Sequence, residues 1–340
     1  MSNVKNLKSF TANCDAETND LLSGVLEEMG KTLADTGLCV VLGGSYGRGD
    51  GGVRLDRENG LLYNDLDLFV FACKKTSAYD HLLKELSRKY EHLLHVDVDF
   101  SRVLSVKDIK NNASRLMMQE LKRGYFHVCG EDLLEKYLPE KPAEDLPFSE
   151  ACRLLVNRGM GLLFAGEKIS ANSSDTDFIL RNIYKAILGA GDAMLISGGK
   201  YRWKLAERLE MIEKSDMPPE WKDLYREAVE FKHSPHRQKK QNMISFWNSV
   251  RDFYRAAALH CSGDRKDFHH GIFVRCHKDG ELSVANYIKY CIKSRSLPLM
   301  AWKHYTMPAP AILVIPVCAA LNKMPQKIDE QLYQHWLIFN

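Results

Sequence analysis

The chain is 340 residues long, with 45% hydrophobic and 27% charged residues, enough apolar material for one large domain or two ordinary ones. Its 47 basic and 44 acidic residues leave a net charge of +3, so no global field singles out nucleic acid as the partner. Nine scattered cysteines without CxxC pairing argue against a disulfide framework or a zinc site and for free thiols in a reducing compartment, with the cytoplasm as the default address.

Residues 16–35 carry Leu21, Leu22, Val25, Leu26, Met29 and Leu33 at helical spacing, with Asp15 to cap the start and Gly37 to end it. Residues 38–44 form an apolar run stopped by glycines and read as a buried strand. Two strands around Asn59-Gly60, a strong hairpin signal, follow. The next elements are a helix over 78–94 and an alternating strand over 95–100. Residues 105–138 read as helical and amphipathic. Residues 136–148 carry three prolines and read as a linker or wrapped loop. Helices are then expected at 149–165, 176–197, 200–214, 219–231, 241–262, 283–293 and 326–338. Ala309–Leu321 is very apolar, but it is too short to span a bilayer and contains Pro310 and Pro316, so a buried helix or irregular core segment is expected. The polar N-terminus has no apolar signal core. The expected class is α+β: a small mixed-sheet domain over 1–135 and a larger, mostly α-helical domain over 149–340.

Three features of the first domain carry chemistry. Gly43-Gly44-Ser45 directly follows the buried strand, where glycine lets backbone approach a ligand closely and a following helical turn offers free N–H groups. The turn lacks the Gly-Lys-Ser/Thr ending of a P-loop, which disfavours a Walker-type ATPase. Gly47–Gly52 adds a flexible run and one cation, Arg48. Asp65 and Asp67 flank Leu66 ahead of Leu68–Phe71. Positions two apart on a strand share a face, so both carboxylates project together, and burying them in a core-like strand is costly without a partner such as a divalent cation. Asp97 and Asp99 repeat the arrangement on a later strand.

Gly44-Ser45, then Asp65-Leu66-Asp67, then an acid in Val96-Asp97-Val98, resembles the pattern of the DNA polymerase beta-like nucleotidyltransferase superfamily. The resemblance covers roughly residues 38–101. It implies transfer of a nucleoside monophosphate from a triphosphate to an acceptor hydroxyl, with release of pyrophosphate. Carried over, Gly43, Gly44 and Ser45 hold phosphates, and Asp65 and Asp67 bind Mg2+, or Mn2+ in its place. The third acid is Asp97, by likeness to kanamycin-type nucleotidyltransferases, with Asp99 as second choice. Ser45 and Asp65 stand 20 positions apart, more than is usual in the family, and the Asn-Gly hairpin is expected to absorb the excess.

Outside this segment the signals are weaker. Arg181, Lys185 and Asp192 fall on one expected helix and Lys200-Tyr201-Arg202 follows it; a basic residue there could meet the triphosphate, Lys185 being preferred, against the simpler reading of a solvated helix face. Arg255 and His260 have the Arg-x4-His spacing of HEPN-type ribonucleases, a short pattern that chance also produces. His269, His270 and His277 lack companion ligands at metal spacing. Lys232-His233 with residues 236–240 make the strongest basic cluster, read by default as a solvated loop. The expected partners are a nucleoside triphosphate and an acceptor that is a small molecule or protein rather than long nucleic acid. No membrane partner is expected, and a homodimer is left open. The alternative to an enzyme is a non-catalytic nucleotide-binding or antitoxin-like partner protein.

Overall fold

The computed structural model describes residues 9–54, 61–235, 240, 242–264, 266–299, 302–323 and 327–339. The chain divides into two compact units. One holds Met1–Lys141 with Glu230–His236, and the other holds Pro142–Val229 with Arg237–Asn340. The architecture is α+β, a small mixed sheet with helices and a mostly helical remainder.

The first unit opens with α1 (Ala16–Leu33), whose cap Asp15 accepts a hydrogen bond from the Thr18 N–H. It buries Leu22, Val25, Leu26, Met29 and Leu33, the stripe expected from the spacing. Then come β1 (Cys39–Leu42), the single turn α2 (Gly44–Gly47), β2 (Leu66–Ala72), α3 (Asp80–Leu94) and β3 (Val98–Phe100). The sheet order is β3-β2-β1-β5, with β5 at Phe126–Cys129 and β4 (Leu104–Ser105) also paired to β2. β1 runs antiparallel to β2 and β5, whereas β2 runs parallel to β3 and β4.

Residues 105–138 are not the run of helix their pattern suggests. They break into α4 (Val106–Asn111), α5 (Leu116–Arg123), β5 and α6 (Leu133–Tyr137). Ser105 and Asp108 form a reciprocal capping box that starts α4 afresh. Gly124, in extended conformation, ends α5. β5 exists because β1 offers it a free edge, and tertiary pairing of this kind overrides local propensity.

Alternation on the strands builds two cores, one per sheet face. Val40, Leu42, Leu66, Leu68, Val70 and Val98 pack with α1 and α3. Cys39, Val41 and Phe71 pack with Ile109, Met118, Leu121 and Leu134, and Phe69 lies against the same cluster. Asp65 and Asp67 therefore belong to the α4–α6 face of β2. The Asn59-Gly60 turn lies outside the described residues. Beside it, Val53 bridges Leu62 in antiparallel fashion, and the Arg54 N–H donates to the Leu61 carbonyl at 2.8 Å.

The second unit contains α7 (Phe148–Ser170), α8 (Thr176–Ser197), α9 (Leu205–Glu213), most of α10 (Pro219–His233), α11 (Met243–Ser262), α12 (Phe268–Lys278), α13 (Val284–Ser294), α14 (Ala309–Ala320) and α15 (Glu330–Phe339). α12 goes beyond the helices expected from the pattern, and Ala309–Ala320 is a helix despite Pro316 inside it. α7 packs on α8, α11 and α14. At Gly159 a Cβ would stand 2.5 Å from both the Tyr254 hydroxyl and Val317 Cγ1, so glycine lets the three helices close. Trp247 Nε1 donates to the Leu162 carbonyl at 2.8 Å across the same junction.

Candidate active site

The C-terminal end of β1 turns at Gly43, whose N–H donates to the Asp67 carbonyl at 2.9 Å. Gly44 follows with φ +61°, a left-handed conformation that side chains resist. A Cβ at Gly44 would stand 2.1 Å from Asp67 Oδ2, so the absence of a side chain is what lets this carboxylate lie against the turn. Ser45 is half-buried in the first turn of α2, and its hydroxyl has no protein partner among the described residues. The turn and the acid strand expected from the sequence thus meet in space.

Gly44→Ala tests this contact. The left-handed backbone alone costs about 1–2 kcal/mol for an alanine, and the Asp67 carboxylate must swing away to make room. The expected result is a lowered urea midpoint, partly restored in a Gly44→Ala/Asp67→Gly double variant as the clash is relieved. Additive effects of the two substitutions would show that the turn and the carboxylate are not coupled.

The four acids share one face. Asp67 is the cross-strand partner of Asp99, and the flanking pair Leu66 and Val98 sets Asp65 opposite Asp97 in the same parallel register. Partial desolvation first, then the charges of Asp65, Asp97 and Glu91, hold the Asp99 carboxyl above its usual range. Asp97 and Asp99 are exposed, while Asp65 and Asp67 are half-buried. Among the described residues no three His, Cys, Asp or Glu side chains close tightly enough to grip a single ion. The donor set still fits a hard divalent cation, since Mg2+ takes one or two carboxylates and completes its shell with water and phosphate oxygens.

The remaining expected site residues fall elsewhere. Arg48 Nη1 lies 3.3 Å from Glu120 Oε2 on α5, so it ties the glycine-rich loop to the sheet's helical cover. Lys185 is half-buried on α8, in the second unit. Arg181 pairs with Asp177, and Asp192 with Arg208. Arg255 lines a cleft of about 340 Å³ with Lys266, His269 and Cys318, but His260 is not part of its lining and stands exposed.

Two residues matter here that the sequence reading did not place in the site. Tyr46 is fully buried, and its hydroxyl donates to the Gly52 carbonyl at 2.8 Å while accepting from the N–H groups of Tyr63 (3.0 Å) and Asn64 (3.3 Å). Burial pushes this phenol up to about 12, so it stays neutral and keeps its proton for Gly52. Asn64 Oδ1 accepts from the Gly52 N–H at 2.8 Å. Together these bonds join the glycine-rich loop to the segment entering Asp65, which offsets the long insert. The second residue is Lys232, on the last turn of α10, whose Nζ lies 3.9 Å from Asp50 Oδ2. Phe231 beside it meets the Tyr63 ring edge-on at 6.1 Å. Burial lowers the adjacent His233 below its ordinary value. Lys232 and His233 are thus packed on the glycine-rich loop rather than solvated. Residues 236–239 of the basic cluster lie outside the described residues.

Neither a protein family nor a curated protein matches this chain in sequence comparison.

Proposed function

We propose that this chain is a metal-dependent nucleotidyltransferase that moves a nucleoside monophosphate from a triphosphate to an acceptor hydroxyl, releasing pyrophosphate. One observation supports this reading above the others: a glycine turn whose missing Cβ seats the Asp67 carboxylate, on a strand whose register brings Asp99 beside it. Phosphate oxygens are held by the amides of Gly44 and Ser45 and the Ser45 hydroxyl, since the first turn of a helix leaves N–H groups without intrahelical acceptors, whereas the Gly43 N–H is taken by the Asp67 carbonyl. Lys232, 3.9 Å from Asp50 of the glycine-rich loop, is a candidate cation for neutralising the triphosphate tail. Asp65 and Asp67 hold a divalent cation together with a third acid from the β3 strand, either Asp99, which lies beside Asp67, or Asp97, which lies beside Asp65. Such a cation lowers the pKa of the acceptor hydroxyl and offsets charge on the phosphates.

The test uses the purified chain, Mg2+ and each nucleoside triphosphate labelled at the α-phosphate, with fractionated cell extract as the acceptor source. Magnesium-dependent pyrophosphate release, with label moving to one fraction, is the expected outcome. Nucleotide binding with no pyrophosphate release in any fraction would replace the enzyme by a non-catalytic nucleotide-binding protein.

A further inference from the structure

We infer that the outward face of α13 and the segment after it form a docking surface for an anionic lipid layer. α13 is held to its unit through Tyr290, which is buried against Tyr305 (ring centroids 4.4 Å) and stacked on Phe339 (5.2 Å). Two positions away in either direction, on nearly the opposite side of the helix, the apolar residues face water. Val284, Ile288 and Ile292, spaced one turn apart, are 60%, 52% and 72% exposed. Leu297, Leu299 and Trp302 extend the strip beyond the helix end, each at least 45% exposed. A run of large apolar side chains this exposed is uncommon on a monomer and marks an interaction face.

Charge selects the occupant. From Val284 to Lys303 the sequence carries Lys289, Lys293, Arg295 and Lys303 and no Asp or Glu. Lys289 and Lys293 each follow a stripe isoleucine by one residue, about 100° around the helix, so they line its flank. Lys289, Arg295 and Lys303 are exposed. Lys293 holds its ammonium over the Phe339 ring, 5.5 Å from the centroid, and donates to the Ile338 carbonyl at 3.3 Å. A second copy meeting this face about a two-fold axis would set these cations against themselves. A folded protein partner would need a complementary apolar surface bearing acids to match these cations, whereas an anionic lipid layer offers both without a fitted shape. An apolar stripe flanked by lysines, with a tryptophan at its end, is the pattern of a helix lying in the membrane interface. Reading the sequence for a spanning segment misses it, and no described helix is long and apolar enough to cross a membrane.

The experiment is co-sedimentation of the full chain with phosphatidylcholine vesicles, with and without phosphatidylglycerol. Binding is expected only with the anionic lipid and should weaken as salt shortens the Debye length. Ile288→Ser/Ile292→Ser should reduce partitioning roughly a hundredfold. Lys289→Glu/Lys303→Glu should abolish the preference for anionic lipid. All four side chains are exposed, so both variants should keep the wild-type melting temperature. Equal partitioning of the isoleucine variant and the wild type would overturn the proposal. So would a dimer, seen by size-exclusion chromatography with light scattering, that the isoleucine variant dissociates.

Discussion

Asp67→Asn is expected to lower magnesium-dependent pyrophosphate release on the order of a thousandfold, about 4 kcal/mol of transition-state stabilisation at 1.36 kcal/mol per decade. On the proposed reading this loss follows from the geometry: the Asp67 carboxylate lies against Gly44 and beside Asp99, where the glycine turn meets the acid strands, so loss of its charge would remove a cation ligand. Asp99→Asn, beside Asp67, and Asp97→Asn, beside Asp65, separate the two candidates for the third acid, which is the one whose loss comes closer to that of Asp67→Asn. Turnover within a few-fold of wild type in Asp67→Asn would sink the mechanism. A larger loss in Asp97→Asn than in Asp99→Asn would give the third-acid role to Asp97 and leave the rest intact.

The parts of this site that were legible in the sequence are those governed by alternation and by glycine. β1 is an apolar run because both of its faces are covered, and Asp65 and Asp67 stand out because acids interrupt an otherwise core-like strand. The choice between Asp97 and Asp99 was not legible, because alternation puts both on one face, and the register sets each beside one acid of the neighbouring strand. Tyr46 was invisible for a similar reason: its three hydrogen bonds reach residues up to 18 positions away, and nothing local marks it. Lys232 was noticed as charge, but its contact with Asp50 depends on α10 contributing its last turn to the first unit. β5 was lost inside a helical-looking run because four residues are too few to show a period. On α13 the sequence marks a helix but not its buried face: Val284, Ile288 and Ile292 are exposed, and the buried residue is Tyr290, which has aromatic partners.

Arg208→Met is expected to destabilise the helical unit by about 3–5 kcal/mol, the usual cost of leaving one member of a buried ion pair alone. Arg208 is almost fully buried on α9, with Nε 3.1 Å from Asp192 Oδ1 on α8. Its Nη1 donates to the Tyr201 hydroxyl at 2.8 Å and to the carbonyls of Arg202 (3.1 Å) and Trp203 (3.2 Å). The Tyr225 hydroxyl on α10 donates to the same Asp192 carboxylate at 2.7 Å. One guanidinium therefore satisfies the irregular segment between α8 and α9 and also neutralises the acid that α8 and α10 share. Methionine fills similar volume but supplies no donor, so the carboxylate and two carbonyls lose their partner together. Asp192, which in sequence falls on a helix that reads as a candidate ligand face, is assigned here to scaffolding. Urea denaturation followed by tryptophan fluorescence should show the midpoint fall. An Arg208→Met/Asp192→Leu double variant should recover part of the loss, because replacing both members of a buried pair with apolar groups removes the uncompensated charge. A loss below about 1 kcal/mol in the single variant would mean that the pair behaves as a solvated surface contact. In that case Asp192 would again be open to a role in binding.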